Sequence, residues 1–337
     1  MEKSYQEYLL KQFTLQCDVT LDLKLAYKTY GKLNPAKDNV VLYPTYFAGR
    51  HEGNEWLIGE GKALDPAKYF IVVPNLFGNG LSSSPSNTSG KYEGANFPQT
   101  TVYDNVKAQF LLLSEHFKVT KIHLAIGWSL GAMQVFYWSA LYPEMVERMV
   151  AFGGASRNST RFRMIANTVI EALKTDENWM DGHYQVQPEK GIRLMANIYC
   201  PWAYSHSYFQ EGAYLKPPKV STLEDFIERR WEKAFLMHDA NDLVVMLQTG
   251  FHGQLADFDQ FHGDHEKALK AIKAKVLLMP GSTDLFFPVE DSILEAEQIQ
   301  EARVVPIPSA WGHDSGIGAN KIDNNFIDKE LKRFLLT

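Results

Sequence analysis

Cysteine is scarce: Cys17 and Cys200 are the only two in 337 residues, and they share no motif spacing. That speaks against a disulfide framework and makes a reducing cytoplasm the expected compartment. No block of lysine and arginine occurs, and the net charge is −6. Nucleic acid and anionic membrane surfaces are therefore not expected partners. Long apolar runs are also missing. The longest, such as "KVLLM" and "YFIVV", are far too short to span a bilayer. The stretch "MEKSYQEYLLKQF" is charged and amphipathic and lacks a signal-peptide core. No internal repeat or low-complexity segment is present. What is there is ordinary globular composition, 45% hydrophobic and 22% charged, enough for a sizeable core.

The chain alternates. "FTLQCDVTLDLKLAYKTYG" (13–31) has period-two character and reads as a strand pair. "NVVLYPT" (39–45) and "YFIVVPN" (69–75) read as buried strands, followed by a polar loop, "FGNGLSSSPSNTSGKYEG". "VYDNVKAQFLLLSEHF" (102–117) has helical periodicity, "KIHLAIG" is a strand, and "LGAMQVFYWSALYP" is a helix stopped near Pro143. From about 156 to 268 buried strands give way to helical segments rich in Trp, Tyr, Met and His. Alternation then returns with "KVLLMPG", "VEDSILEAEQIQ", "ARVVPIP" and a last helix. The pattern predicts an α/β fold with a mostly parallel, doubly wound sheet. Residues 1–155 and 269–337 would form one core, and 156–268 an inserted helical cap.

Between a strand and a helix stands Gly127-Trp128-Ser129-Leu130-Gly131. Gly-x-Ser-x-Gly in that context is a nucleophile elbow. A sharp turn projects the serine hydroxyl, and flanking side chains would collide with neighbouring backbone. The free N–H of Leu130, at the helix start, would supply half of an oxyanion hole. A serine needs a base and a group to orient it. Asp284 follows a late strand and His313 lies in the loop after the last one, in the chain order Ser, Asp, His. The "DFDQFHGDHEK" cluster, with His262 and His265, matches no zinc spacing and reads as a solvated loop, so no metal site is expected.

These residues carry a resemblance. "YKTYGKLN", "FPQTTVYDNVKAQ", the Gly-Ala-Met-Gln run after Ser129, "STDLFFP" and "GHD" resemble the homoserine O-acetyltransferase family of the α/β-hydrolase superfamily over most of the chain. The resemblance implies the α/β-hydrolase fold, with Ser129 as nucleophile, Asp284 as acid and His313 as base. It also implies a second oxyanion donor from the backbone of Tyr46 or Phe47, in "YPTYFAG" where the family has "HALTG". Other departures matter more. The acetyltransferases hold the amino-acid carboxylate with a cap arginine, but here Ala196 stands at that position, Arg193 is displaced and Tyr204 is offset. Asp314 retains a contact for a substrate ammonium. Substrate-binding candidates are thus Phe47, Arg193, Tyr204 and Asp314. A missing carboxylate clamp favours the carboxylesterase branch: a serine hydrolase of small-molecule esters, with no cofactor. The alternative is a homoserine O-acetyltransferase with acetyl-CoA as co-substrate. The resemblance also implies a homodimer.

Overall fold

The computed structural model describes residues 4–216 and 220–337. Eight strands form one sheet: β1 (Gln6–Thr14), β2 (Thr20–Tyr30), β3 (Val40–Leu42), β4 (Phe70–Pro74), β5 (Leu124–Trp128), β6 (Arg148–Phe152), β7 (Lys275–Met279) and β8 (Ala302–Val304). Their spatial order is β1-β2-β4-β3-β5-β6-β7-β8. β2 pairs antiparallel with β1 and with β4, and all later neighbours are parallel. The central strands are buried on both faces, which is why they read as continuous apolar runs. Val40, Leu42 and Val72 face one layer, and Val41, Ile71, Val73 and Ile126 face the other.

The first strand begins earlier than the sequence pattern suggests, inside the amphipathic N-terminal stretch. Its alternation is interrupted by a bulge between Leu10 and Phe13, where Gln12 has φ 47°. A bulge shifts the period-two pattern by one residue and hides it.

Helices α1 (Val102–Leu111) and α2 (Leu130–Leu141) pack on the sheet. Between β6 and β7 lie α3 (Thr160–Lys174), α4 (Glu189–Ala203), α5 (His206–Gln210) and α6 (Leu223–Phe226). A π-turn segment (Ile227–Glu232) carries α6 into α7 (Lys233–Leu236), and α8 (Ala240–Phe251) and α9 (His265–Lys270) follow. Among the described residues no sheet strand lies between β6 and β7, and an isolated antiparallel bridge joins Arg157 to Gln254. α10 (Val289–Ala296) and α11 (Lys321–Phe334) complete the core. Among the described residues no helix is long and apolar enough to cross a membrane.

Candidate active site

Ser129 sits between the end of β5 and the start of α2 with φ 54° and ψ −124°. This is a sparsely populated conformation for a residue with a side chain, costing on the order of 1–3 kcal/mol. The neighbouring backbone holds it: Ser129 donates its N–H to the Phe152 carbonyl at 3.1 Å, and its own carbonyl accepts from Met133 at 3.1 Å. The flanking glycines follow from crowding. A Cβ on Gly127 would lie 2.2 Å from the Gly131 carbonyl oxygen, and one on Gly131 would lie 2.7 Å from that of Pro44.

The hydroxyl projects onto His313, whose Nε2 lies 2.9 Å from Ser129 Oγ. His313 Nδ1 is 2.8 Å from Asp284 Oδ2. A carboxylate only accepts, so Nδ1 carries the proton and Nε2 is free to accept from the serine. The other Asp284 oxygen accepts the N–H groups of Phe286 and Phe287, at 2.8 and 3.1 Å, which fixes its orientation. All three side chains are buried. Trp128, within the elbow itself, adds a support that the motif does not announce. Its indole stacks on the His313 ring at 5.0 Å and donates Nε1–H to the His313 carbonyl at 3.2 Å.

Leu130, Phe47, Met133 and Met246 line a small cavity over Ser129, closed by Phe162 and Tyr199. Its volume is about 10 Å³, room for roughly one water. Phe47, a substrate-binding candidate from the sequence, is thus among the residues lining the space over Ser129. The Tyr46 side chain turns away and packs edge-on against Trp128 at 4.4 Å. Burial raises its phenol to about 12, against an opposing pull from the Arg230 charge.

The other three substrate-binding candidates have partners within the chain. Arg193 does not reach this cavity: its guanidinium pairs with Glu232 at 2.5 Å and with Glu189 at 3.9 Å. Asp314 is buried, and its Oδ2 already accepts from Tyr204 Oη at 2.7 Å and from Arg230 Nη2 at 3.0 Å. That carboxylate is matched within the chain, so it is not free for a substrate ammonium. Tyr204, itself buried, is likewise committed to Asp314 rather than to a ligand. Arg230 is the residue that sequence reading missed. It lies in the π-turn segment, whose extra residue per turn shifts the helical phase, so "ERRWEK" does not reveal which arginine faces inward.

In the histidine-rich stretch, His265 and Asp264 have partners within the protein. His265 Nε2 lies 2.6 Å from Ser156 Oγ, and Asp264 caps α9 by accepting from Lys267. Among the described residues no cluster of three His, Cys, Asp or Glu is arranged to hold a metal. A larger cleft, about 850 Å³, opens at the cap–core junction beside His265 and Glu295; it does not contain Ser129.

Residues 38–317 match the family model described as alpha/beta hydrolase fold. An ethyl acetate hydrolase of Pseudomonas veronii is 35% identical over 314 residues, covering 92% of this chain and 89% of that one. The solved acetyl esterase MekB superposes with a TM-score of 0.95 at 33% identity, covering 99% of this chain and 97% of the other. A homoserine O-acetyltransferase from Bacillus anthracis gives 0.86 at 27% identity, covering 99% and 97%. The chain thus belongs to the α/β hydrolase fold family, as an enzyme related to both its esterases and its homoserine O-acetyltransferases.

Proposed function

We propose that this protein hydrolyses carboxylic esters with a short acyl group, acetate above all, through an acyl-enzyme on Ser129. One observation carries the reading: the continuous Ser129–His313–Asp284 relay opens into a cavity of about 10 Å³. Ser129 Oγ attacks the ester carbonyl while its proton passes to His313 Nε2. The oxyanion forms against the N–H of Leu130 and that of Tyr46 or Phe47. The carbonyl–alkoxide bond breaks, and His313 returns its proton to the departing alcohol. Water then attacks the acyl-enzyme, giving its proton to His313, and the carboxylic acid leaves as Ser129 is reprotonated. Asp284 holds the Nδ1–H tautomer and stabilises the imidazolium in both steps. This chemistry draws on no metal or cofactor. The likeness to an ethyl acetate hydrolase and an acetyl esterase supports the choice of acyl group.

Arg230 keeps the acetyltransferase in view, because it brings a guanidinium beside Asp314, next in sequence to the base. That guanidinium is already paired, and a homoserine carboxylate would have to compete with Asp314 for it. Hydrolysis is therefore the stronger reading. The test uses p-nitrophenyl acetate and acetyl-CoA, each with and without homoserine, following nitrophenol and thiol release. Rapid nitrophenol release without homoserine-dependent thiol release supports the esterase. Homoserine-dependent thiol release would overturn it.

A further inference from the structure

The loop after β3 carries a regular feature. Its carbonyls are tied back one after another. Asn54 Nδ2 donates to the Tyr43 and Pro44 carbonyls at 2.9 and 3.3 Å, and Gln134 Nε2 to that of Thr45 at 2.9 Å. The Gly49 N–H closes a turn onto Tyr46 at 3.0 Å, and Asn79 Nδ2 donates to the Gly49 carbonyl at 3.1 Å. The Thr45 and Gly49 N–H groups are bonded to the Pro74 and Tyr46 carbonyls, whereas those of Tyr46 and Phe47 have no backbone partner among the described residues, as an oxyanion hole requires.

Those partners belong to the core, with one exception. The Ala48 carbonyl accepts from His238 Nε2 at 3.0 Å, and His238 lies in the cap between α7 and α8. Among the described residues it is the one hydrogen bond from the cap to this loop. Ala48 is also the strained residue of the loop, with φ 54°. Such a conformation persists only where the surroundings hold it. Next to it, the Phe47 ring packs against Tyr199 and Phe235 of the cap at 5.6 and 5.7 Å, and Phe235 precedes His238 by one helical turn.

We propose that His238 is a positioning residue that links the helical segment between β6 and β7 to the oxyanion hole, by holding the strained Ala48 peptide so that the preceding N–H groups face the Ser129 acyl site. It rests on the hydrolase reading above. His238 is 5% exposed. Burial, with the charge of Arg50, pushes its imidazole down to about 4. The ring is therefore neutral near pH 7, with its single proton on Nε2 toward Ala48 and a bare Nδ1 that has no partner among the described residues. Loss of this bond would leave substrate contacts in place but misalign a donor needed only for the oxyanion.

The test compares wild type, Ser129→Ala, His238→Ala and His238→Gln on p-nitrophenyl acetate, together with inhibition by a short trifluoromethyl ketone. That ketone forms a tetrahedral oxyanion on the nucleophile. His238→Ala is expected to lower kcat by about 10–100-fold with KM little changed, and to weaken the ketone by a similar factor. His238→Gln, whose amide N–H can still donate to Ala48, is expected to recover most of both. If His238→Ala does not fold, His238→Leu against His238→Gln gives the same contrast. Unchanged kcat in the donorless variant, or no recovery with glutamine, overturns the coupling while leaving the hydrolase intact. Turnover persisting in Ser129→Ala overturns the hydrolase reading instead.

Discussion

At Gly127 a single methyl group decides whether the elbow forms. A Cβ there would sit 2.2 Å from the Gly131 carbonyl oxygen, on the turn itself. Backbone in such a turn cannot give way as a side-chain end can. Gly127→Ala is therefore expected to destabilise the protein by about 2 kcal/mol or more, measured by urea unfolding, and to abolish esterase activity. Trp128 offers a finer test. Trp128→Phe keeps a ring against His313 but removes the Nε1–H that the His313 carbonyl accepts. A fall in kcat of roughly tenfold, at unchanged fold, is expected if that bond aligns the base. These residues differ in how well the sequence exposes them. Ser129, Asp284 and His313 are legible because each stands just beyond a strand, in an order the fold imposes. Trp128 is not, because an aromatic in a buried strand reads as core. Arg230 and the Asp314 pairing are hidden by the π-turn, and Arg193 misleads because an arginine near an expected position says nothing about the acid it already pairs with.

Between the elements, α2, α3 and α8 bound the space over Ser129 that would receive the acyl group in the proposed reaction. A cavity of about 10 Å³ takes a methyl by small adjustment and a longer chain only by displacing Phe162 or Met246. We expect p-nitrophenyl octanoate to fall below the acetate in kcat/KM by about tenfold or more, and Met246→Ala to narrow that gap. Equal rates on both esters would contradict this. The junction of cap and core carries a second prediction. Ser156, at the cap entry, donates its N–H at 2.7 Å and its hydroxyl at 2.6 Å to Glu295 Oε1 on α10. Burial raises the Glu295 carboxyl from an ordinary 4.5 to about 7. The folded state then holds this proton more tightly than the unfolded chain does. Stability is lost as pH rises from the ordinary carboxyl range through about 7. Glu295→Gln cannot titrate but can still accept from Ser156. Its Tm should match wild type in mild acid and exceed it by roughly 2–4 °C in mild alkali, by calorimetry. A constant difference across pH would remove Glu295 as the cause.

Across the whole molecule, the α/β-hydrolase architecture was readable because parallel strands buried on both faces and amphipathic helices alternate with different periods. The β1 bulge blurred one strand boundary. Pairing partners in the cap were not readable, since its helices are fixed by packing and not by period. The sheet lies on one side of Ser129 and helices from between β6 and β7 on the other, with His238 donating to the Ala48 carbonyl of the loop after β3. In the hydrolase proposed above, Ser129 would carry the acyl group. The most direct measurement is intact-protein and peptide mass spectrometry of enzyme acid-quenched during turnover of p-nitrophenyl acetate. One acetyl group is expected on the peptide bearing Ser129, and neither it nor turnover is expected in Ser129→Ala. Full turnover in Ser129→Ala, or acetylation confined to another residue, would contradict it.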